Sequence, residues 1–171
     1  MKNVSFAAIA AALLIVFPNT IFAAGAKPAF PSWSQKLPTK RFTVLTAFDG
    51  AAVLDNETGL VWQQAPSGSE HNWLNAVAQC FTIEVGGRLG WRLPTIQELA
   101  SLMDKSQNPA LPVGHPFTNV HTNEGDFYWS STTFQGPGVV VAFQSNGIVT
   151  GVLKSETGFF WCVRGGSGAE E

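Results

Sequence analysis

One stretch, residues 86–99, constrains the fold of this chain more than any other. It opens with two glycines and ends in a helix start. Thr95 and Glu98 have the spacing of a capping box, in which the Thr hydroxyl and the Glu carboxylate each accept a hydrogen bond from a backbone N–H at the helix N-terminus. Pro94 disfavours helical backbone angles at Leu93, so the helix boundary is sharp. The stretch therefore predicts a turn, a short extended segment and a capped helix.

Apolar residues at helical spacing indicate two helices. The helix after Thr95 has one apolar face, made of Ile96, Leu99, Ala100 and Met103. An earlier helix is predicted to begin after Asn72, a residue type favoured at helix N-caps. The apolar face of that helix consists of Trp73, Ala76, Val77 and Cys80. This spacing places the thiol of Cys80 on the buried side of the helix.

Short strands make up the rest of the predicted fold. Residues 41–45 are rich in β-branched and aromatic side chains, which predicts a strand. Residues 51–54 and 60–62 flank a loop of turn-forming residues, which predicts a hairpin, and the acidic side chains of that loop suit a turn better than a calcium site. Further strands are predicted at residues 127–133, 139–143, 148–152 and 158–164. Helices combined with antiparallel strands predict the α+β class.

The first residues of the chain have the features of a secretory signal. Lys2 is followed by an apolar run and an Ala-Gly-Ala cleavage pattern at residues 24–26. The run is too short for a good membrane span, and a retained N-terminal anchor is the weaker alternative. We therefore predict export to the periplasm, the cell exterior or the cell surface, with no stable membrane span after cleavage. The predicted organisation is a signal peptide (1–26), a linker (27–41), a domain (42–165) and a flexible acidic tail (166–171).

The charge of the chain argues against one class of partner. The sequence of 171 residues has a formal net charge of −2, and removal of Lys2 with the signal makes the mature chain one unit more negative. General nucleic-acid binding requires a basic patch that complements phosphate. The sequence therefore predicts no nucleic-acid partner, and it leaves the oligomeric state open.

The chain has two cysteines, Cys80 and Cys162. An even number of cysteines in an exported protein indicates a disulfide. Two independent buried thiols are the alternative. No cysteine closely follows the predicted cleavage site, so nothing indicates a lipid-attachment site.

The long polar stretch from residue 104 to residue 125 contains the candidate binding site, because a loop of this length inside a domain is often functional. His115 and His121 are six residues apart, which fits no common zinc spacing, so loop packing is the stronger interpretation. Other side chains there offer the oxygen atoms that calcium prefers, but without a full loop motif. The candidate binding residues are Asn119, His121, Asn123, Glu124 and Asp126. No metal and no cofactor is predicted, with calcium as the weaker alternative.

No catalytic residue can be assigned from the sequence. Ser130 and Ser131 lie in a predicted strand without a nucleophile-elbow motif. Glu98 is used as a helix cap, and no histidine has a supporting context. The chain is therefore not expected to be an enzyme.

Tryptophans allow two interpretations. Exposed tryptophan rings would suit the faces of sugars. Each of these residues lies in an apolar pattern, however, which favours a place in the core for most of Trp62, Trp73, Trp91, Trp129 and Trp161. A cation–π contact between Trp91 and Arg92 is a further structural use.

Four segments of the chain resemble the Lcl C-terminal domain family, a bacterial family of unknown function that is named for the last domain of a collagen-like adhesin. The segments are residues 55–62, 90–99, 128–132 and 162–164, which together cover most of the predicted domain. The order of the predicted elements also resembles a C-type-lectin-like fold. The motif residues are Trp62, Trp73, Trp91, Arg92, Pro94, Thr95, Glu98, Trp129 and Arg164.

The resemblance implies a lectin-like or formylglycine-enzyme-like scaffold, with a disulfide from Cys80 in the first helix to Cys162 in the last strand. The adhesin domain that names the family is trimeric and binds sulfated glycosaminoglycans, which requires clustered Arg and Lys. This chain departs from that pattern, because it is acidic and its domain bases are scattered. No collagen-like repeat precedes the domain, and the sugar motifs of calcium-dependent lectins are missing.

We therefore expect an exported, non-catalytic binding module that recognises a surface glycan or an envelope or extracellular protein, in the manner of an adhesin. One alternative is a structural or assembly component of the cell envelope. The other is an enzyme on a formylglycine-enzyme-like scaffold, which would need closely placed cysteines that this chain does not have.

Overall fold

The structure, a computed structural model, describes residues 40–142 and 145–165. The predicted signal peptide, almost all of the predicted linker and the predicted tail lie outside these residues. The described part contains two helices, seven strands and a 3-10 helix, which confirms the α+β class. Neither of its two helices is long and apolar enough to cross a membrane.

The first sheet joins the two ends of the described chain. Its strands are β1 (Phe42–Val44), β2 (Ala52–Asp55), β3 (Val61–Gln63) and β7 (Val163–Arg164), antiparallel in the order β1-β2-β3-β7. Strands β2 and β3 form the predicted hairpin, in which Val53 lies opposite Trp62. Trp62 also lies opposite Val163 of β7. A 3-10 helix, Thr46–Phe48, connects β1 to β2.

The second sheet has three antiparallel strands, β4 (Tyr128–Phe134), β5 (Gly138–Ala142) and β6 (Val149–Leu153), in the order β4-β5-β6. The register between β4 and β5 shifts between Trp129 and Thr133. Gly147 has a φ of 71°, and the backbone N–H of Ile148 donates to Asn146 Oδ1. The Asn-Gly pair therefore forms a turn before β6, as its sequence predicts.

The two helices begin where their caps predict. Helix α1 (Trp73–Thr82) follows Asn72, whose side chain accepts a hydrogen bond from the backbone of Asn75. Helix α2 (Ile96–Ser101) begins after Thr95 with both hydrogen bonds of the capping box. It ends before Met103, so the predicted apolar face extends past the helix, although Met103 still packs against the core. Helix α1 packs against β4, and α2 packs against β4 and β5.

Two clusters of buried side chains form the core. Trp62 and Trp161 lie in the first cluster, and Trp91 and Trp129 lie in the second. These four side chains are at most 1% exposed, which agrees with the core interpretation. Trp73 is only partly buried, and its indole N–H donates to the carbonyl oxygen of Ser130.

The last predicted strand, residues 158–164, is regular over only its final two residues. Upstream of β7 the backbone does not pair with one strand throughout, but bonds to side chains, to loops and to single residues of β3 and β4. The backbone N–H of Cys162 donates to Gln63 Oε1, and that of Phe160 donates to Ser67 Oγ. The backbone groups are thus satisfied, as buried ones must be, without a continuous ladder.

The structure contains the disulfide between Cys80 and Cys162, so the alternative of two independent thiols was wrong. The bond links α1 to the residue before β7. Both cysteines are fully buried in the second cluster. The disulfide therefore fastens the first helix to the segment that joins the two sheets.

Candidate functional site

The predicted binding loop has no helix or strand between α2 and β4, as expected. Its two histidines pack on aromatic rings. His115 stacks on Phe117, and burial lowers the pKa of His115 although an interaction with the backbone of Phe117 opposes this. His121 stacks on Phe159 with ring centroids 3.7 Å apart. Both rings therefore contribute to packing, as the sequence favoured.

His121 and Tyr128 connect the loop to the first core cluster. The backbone N–H of His121 donates to the phenol oxygen of Tyr128 at 2.7 Å. Burial raises the pKa of the Tyr128 phenol well above its usual value, and the nearby charge of Asp126 adds to this. Tyr128 thus remains neutral and holds the loop by its oxygen.

The polar candidates of the loop are only partly brought together. The backbone N–H and the side-chain amide of Asn123 both donate to Asp126 Oδ2, at 3.1 and 3.0 Å. Asn119 is exposed and has a left-handed φ of 53°, and Glu124 is exposed. Among residues 40–142 and 145–165, no three His, Cys, Asp or Glu side chains are grouped so that they could hold a metal ion. A binding role for these residues, and for calcium, stays a prediction.

The stretch at residues 86–99 contains an ion pair that the sequence did not predict. Arg92 Nη2 donates to Glu98 Oε1 at 2.7 Å, and Nη1 donates to Oε2 at 2.8 Å. The same guanidinium donates to the carbonyl oxygens of Leu93 and Gly165. Arg92 thus connects α2 to the end of β7. The guanidinium makes this ion pair in place of the cation–π contact with Trp91 that the sequence suggested.

The pair shifts both pKa values toward the charged forms. Burial alone would raise the pKa of Glu98, but the hydrogen bonds from Arg92 and Thr95 and the charge of Arg92 outweigh it, so the pKa is lowered. The hydrogen bond to Glu98 raises the pKa of Arg92 against the opposing effect of burial. Glu98 is therefore a structural carboxylate rather than a proton donor.

A tight glycine turn lies just before this ion pair. Val85 and Arg88 exchange two backbone hydrogen bonds across Gly86 and Gly87, whose φ values are 55° and 70°. These values are typical of the hairpin turn that glycine favours. A Cβ on Gly86 would lie 2.4 Å from backbone atoms of Phe48. The turn therefore packs directly on the 3-10 helix.

The turn and β7 place one arginine each over the same aromatic ring. The guanidinium carbon of Arg88 lies 5.0 Å from the ring centroid of Phe48, and that of Arg164 lies 6.0 Å from the same centroid. Trp91 contacts the same ring edge-to-face. In the part of the chain that the structure describes, the ion pairs involve Arg41 and Arg92, and neither Arg88 nor Arg164.

The sequence did not indicate this cluster. Arg88 is one of the scattered bases of the domain, and no motif includes Phe48. The three residues lie in a 3-10 helix, a turn and a last strand, so no local spacing connects them. The resemblance of residues 162–164 to a family motif was the one available signal for Arg164.

The outer face of α1 carries no charge, and it has an apolar stripe beside the exposed polar residues Asn75, Gln79 and Thr82. Leu74 is 68% exposed and Phe81 is 77% exposed, and the exposed Ala78 lies between them at helical spacing. No Asp, Glu, Lys or Arg occurs from Trp73 to Thr82. A surface helix of a soluble domain ordinarily has charged and polar residues on its outer face, whereas the polar residues of this helix are all uncharged. The apolar stripe, defined by Leu74, Ala78 and Phe81, is the α1 face.

Comparisons with known proteins identify the family. No curated protein matches the chain. The family model described as the Lcl C-terminal domain matches residues 51–164, which is more than half of the chain. The matched range begins just before β2 and ends at β7, so it includes the disulfide and both helices. The chain therefore belongs to the Lcl C-terminal domain family.

Proposed function

We propose that this chain is an exported, non-catalytic binding module whose ligand is another protein. The observation that carries the proposal is the α1 face, where Leu74 and Phe81 are largely exposed on a helix without a charged residue. Exposed apolar patches of this kind are typical of sites that contact other proteins. An uncharged face also imposes no like-charge repulsion on a partner, whose complementary surface is expected to be apolar.

The position of the tryptophans supports a protein ligand over a glycan. Exposed Trp or Tyr rings would suit the faces of sugars. Four tryptophans and Tyr128 of the described residues are buried, and the large exposed side chains are instead Leu, Ile, Val and Phe. These residue types supply apolar contact area for a protein surface.

Several side chains that an enzyme would need have structural uses, which supports a non-catalytic role. Cys80 and Cys162 are bonded to each other. Glu98 is occupied by Thr95 and Arg92. No cofactor is part of the proposal.

The disulfide also supports the proposed location and scaffold. Disulfides persist in oxidising compartments, which fits export to the periplasm or beyond. A bond from the first helix to the last strand, and the pairing of β7 with the early strand β3, fit a C-type-lectin-like scaffold. We propose that scaffold for this domain.

Photo-crosslinking in cells that produce the protein tests the function. A photo-crosslinking amino acid replaces Phe81 in one chain and Gln97, an exposed residue of α2, in the control chain. We expect a discrete adduct with one protein at position 81 and none at position 97. Leu74→Ser is expected to weaken the adduct at position 81, because it removes the neighbouring apolar contact. Adducts of equal strength at both positions contradict the proposal.

A glycan array, screened with calcium and with chelator, tests glycan binding as the competing function. Glycan binding without any adduct at position 81 overturns the protein-binding proposal. Loss of that binding in chelator would then indicate an oxygen-ligand metal site, to be sought first between Asn119 and Asp126.

Assembly from copies of this chain is the second candidate function. Strand β6 is an edge strand, and Phe134, Ile148 and Leu153 in or beside the second sheet are more than half exposed. Exposed edges with apolar side chains favour strand-to-strand association. Adducts between two copies of the chain at position 148, but not at position 81, would favour this candidate.

A further inference from the structure

We propose that Arg88 and Arg164, held over the ring of Phe48, form a binding site for a carboxylate in an acidic segment of the partner protein. This inference rests on the proposed function, which it extends by naming the chemistry of the partner. The site shares no residue with the α1 face.

The backbone holds both arginines in place. Arg88 closes the glycine turn with two backbone hydrogen bonds to Val85 at 3.1 Å, and its carbonyl oxygen accepts the indole N–H of Trp91 at 2.8 Å. Arg164 lies in β7 opposite Val61. Both positions have a hydrogen-bonded backbone, so binding costs little backbone entropy at these residues.

The ring of Phe48 gathers the two positive charges. The guanidinium carbons are 5.0 and 6.0 Å from one ring centroid, so their separation cannot exceed these two distances together. Cation–π attraction favours both contacts, but the two like charges repel each other. An anion between or beside them relieves this repulsion, and a guanidinium binds a carboxylate through two parallel hydrogen bonds.

The described residues do not neutralise these charges. Arg41 pairs with Asp55 and Glu57, and Arg92 pairs with Glu98, while neither Arg88 nor Arg164 has a carboxylate of residues 40–142 or 145–165 within ion-pair distance. Glu84 lies nearby, with a carboxylate oxygen 4.0 Å from the place of a Cβ on Gly87. Repulsion from the carboxylate of Glu84 disfavours a ligand with a high negative charge.

Two observations favour an acidic protein segment over a sulfated polysaccharide. The site has only two cations on a chain whose net charge is −2, whereas a polyanion is attracted by an extended basic surface. Leu89, next to Arg88, is 60% exposed and offers an apolar contact beside the cations. An Asp or Glu next to an apolar residue matches this combination.

Fluorescence anisotropy with two labelled peptides tests the inference on the full mature chain. One probe alternates Leu and Glu, and the matched probe has Gln in place of each Glu. We expect the Glu probe to bind about tenfold more tightly than the Gln probe. The double variant R88Q/R164Q is expected to remove this difference, and higher salt to reduce it, because exposed charges are screened. K105Q, which removes one exposed charge elsewhere, is expected to change the affinity less than about twofold.

R88K/R164K controls for loss of the fold, because it retains both charges but not the bidentate geometry. We expect it to keep part of the preference for the Glu probe, with an unchanged near-ultraviolet circular dichroism spectrum. Equal affinity of the two probes for the wild type overturns the inference, and so does an unchanged preference in R88Q/R164Q. Tighter, arginine-dependent binding of a heparin oligosaccharide also overturns it and assigns the site to sulfate.

The result is distinguishable from failure of the proposed function. If position 81 still forms its adduct while the Glu probe shows no preference, the inference fails and the protein-binding function stands. If the Glu probe binds as expected but no adduct forms at position 81, the α1 face is not the docking surface.

Discussion

Glu98 serves a helix cap and an ion pair at once. Its Oε2 atom accepts from the backbone N–H of Thr95 and from Arg92 Nη1, and its Oε1 atom accepts from Arg92 Nη2. The cap could be predicted from the sequence, because the spacing of Thr95 and Glu98 at the start of a helix defines its geometry. The ion pair could not, because Arg92 reaches Glu98 across a non-helical segment whose path the spacing does not define.

The ionised form of Glu98 stabilises the fold, so Glu98→Gln is expected to change the pH dependence of stability. The folded-state pKa lies below the ordinary value of 4.5, so the stabilisation is present above that value and is lost as the pH falls through the folded-state pKa. At neutral pH we expect E98Q to lower the free energy of unfolding by about 1–3 kcal/mol, since hydrogen bonds to a charged group are lost.

Urea unfolding followed by tryptophan fluorescence, at neutral and at acidic pH, measures this difference. The difference between E98Q and the wild type should shrink as the pH falls below 4.5. E124Q, which changes an exposed carboxylate, is the control and should lie within about 0.5 kcal/mol of the wild type. A difference for E98Q that does not vary with pH contradicts the assigned role.

Gly86 and Gly59 form a matched pair for testing the glycine turn. Both have positive φ, but a Cβ on Gly86 would lie 2.4 Å from Phe48, whereas no atom lies within 4 Å of a Cβ on Gly59. We expect G59A to cost about 1 kcal/mol for the backbone conformation alone. G86A should cost about 2–5 kcal/mol, since overpacking adds to this. Equal costs, measured by denaturant unfolding, would show that the contact with Phe48 is unimportant.

At the scale of elements, local signals succeeded where local geometry decides the structure. The cap at Asn72 and the turn at Asn146 both lie where the sequence placed them. The strand predicted at residues 158–164 was too long, because Gln63 and Ser67 supply side-chain hydrogen bonds to that backbone from nearly a hundred residues away in the chain. The hydrophobic pattern of a segment indicates that it is buried, but it does not distinguish a strand with regular hydrogen-bonded pairing from a buried extended segment.

The disulfide between Cys80 and Cys162 holds α1 against the segment before β7, across a sequence separation of 82. We expect C80A/C162A to lose about 2–5 kcal/mol of the free energy of unfolding, as is typical when a native disulfide is removed. The single variant C80A, which breaks the same bond, should lose a similar amount. Guanidinium unfolding curves give both values. A loss below about 0.5 kcal/mol for the double variant would show that the bond adds little to the stability that core packing already provides.

At the scale of the molecule, the fold was more predictable than the candidate site. The matched family range covers both helices and strands β2 to β7, and the helix and strand patterns of the sequence predicted the α+β class that the structure has. The site has no such signal. Phe48, Arg88 and Arg164 come from distant parts of the chain, and only the packed fold brings them together. The α1 face was likewise missed, since Leu74 and Phe81 were not included in the predicted apolar face of α1.

The N-terminal boundary of the independently folding domain can be tested with fragments. In the part of the chain that the structure describes, the two core clusters extend from Phe42 to Val163, so a fragment of residues 40–165 should fold with the full chain's stability, within about 0.5 kcal/mol. Arg41 decides how short the fragment can be. Its guanidinium pairs at 3.2 Å with Asp55, whose carboxylate is fully buried.

A fragment of residues 42–165 lacks Arg41. The buried carboxylate of Asp55 then loses the hydrogen bonds from the guanidinium and keeps the one from the backbone N–H of Glu57. Breaking a buried ion pair from one side costs about 3 kcal/mol or more. We therefore expect the shorter fragment to unfold at clearly lower urea concentration than the 40–165 fragment. The substitution R41Q in the longer fragment should reproduce most of that loss, because it removes the charge but keeps the chain length. Equal midpoints for the two fragments would place Arg41 in the linker, outside the domain.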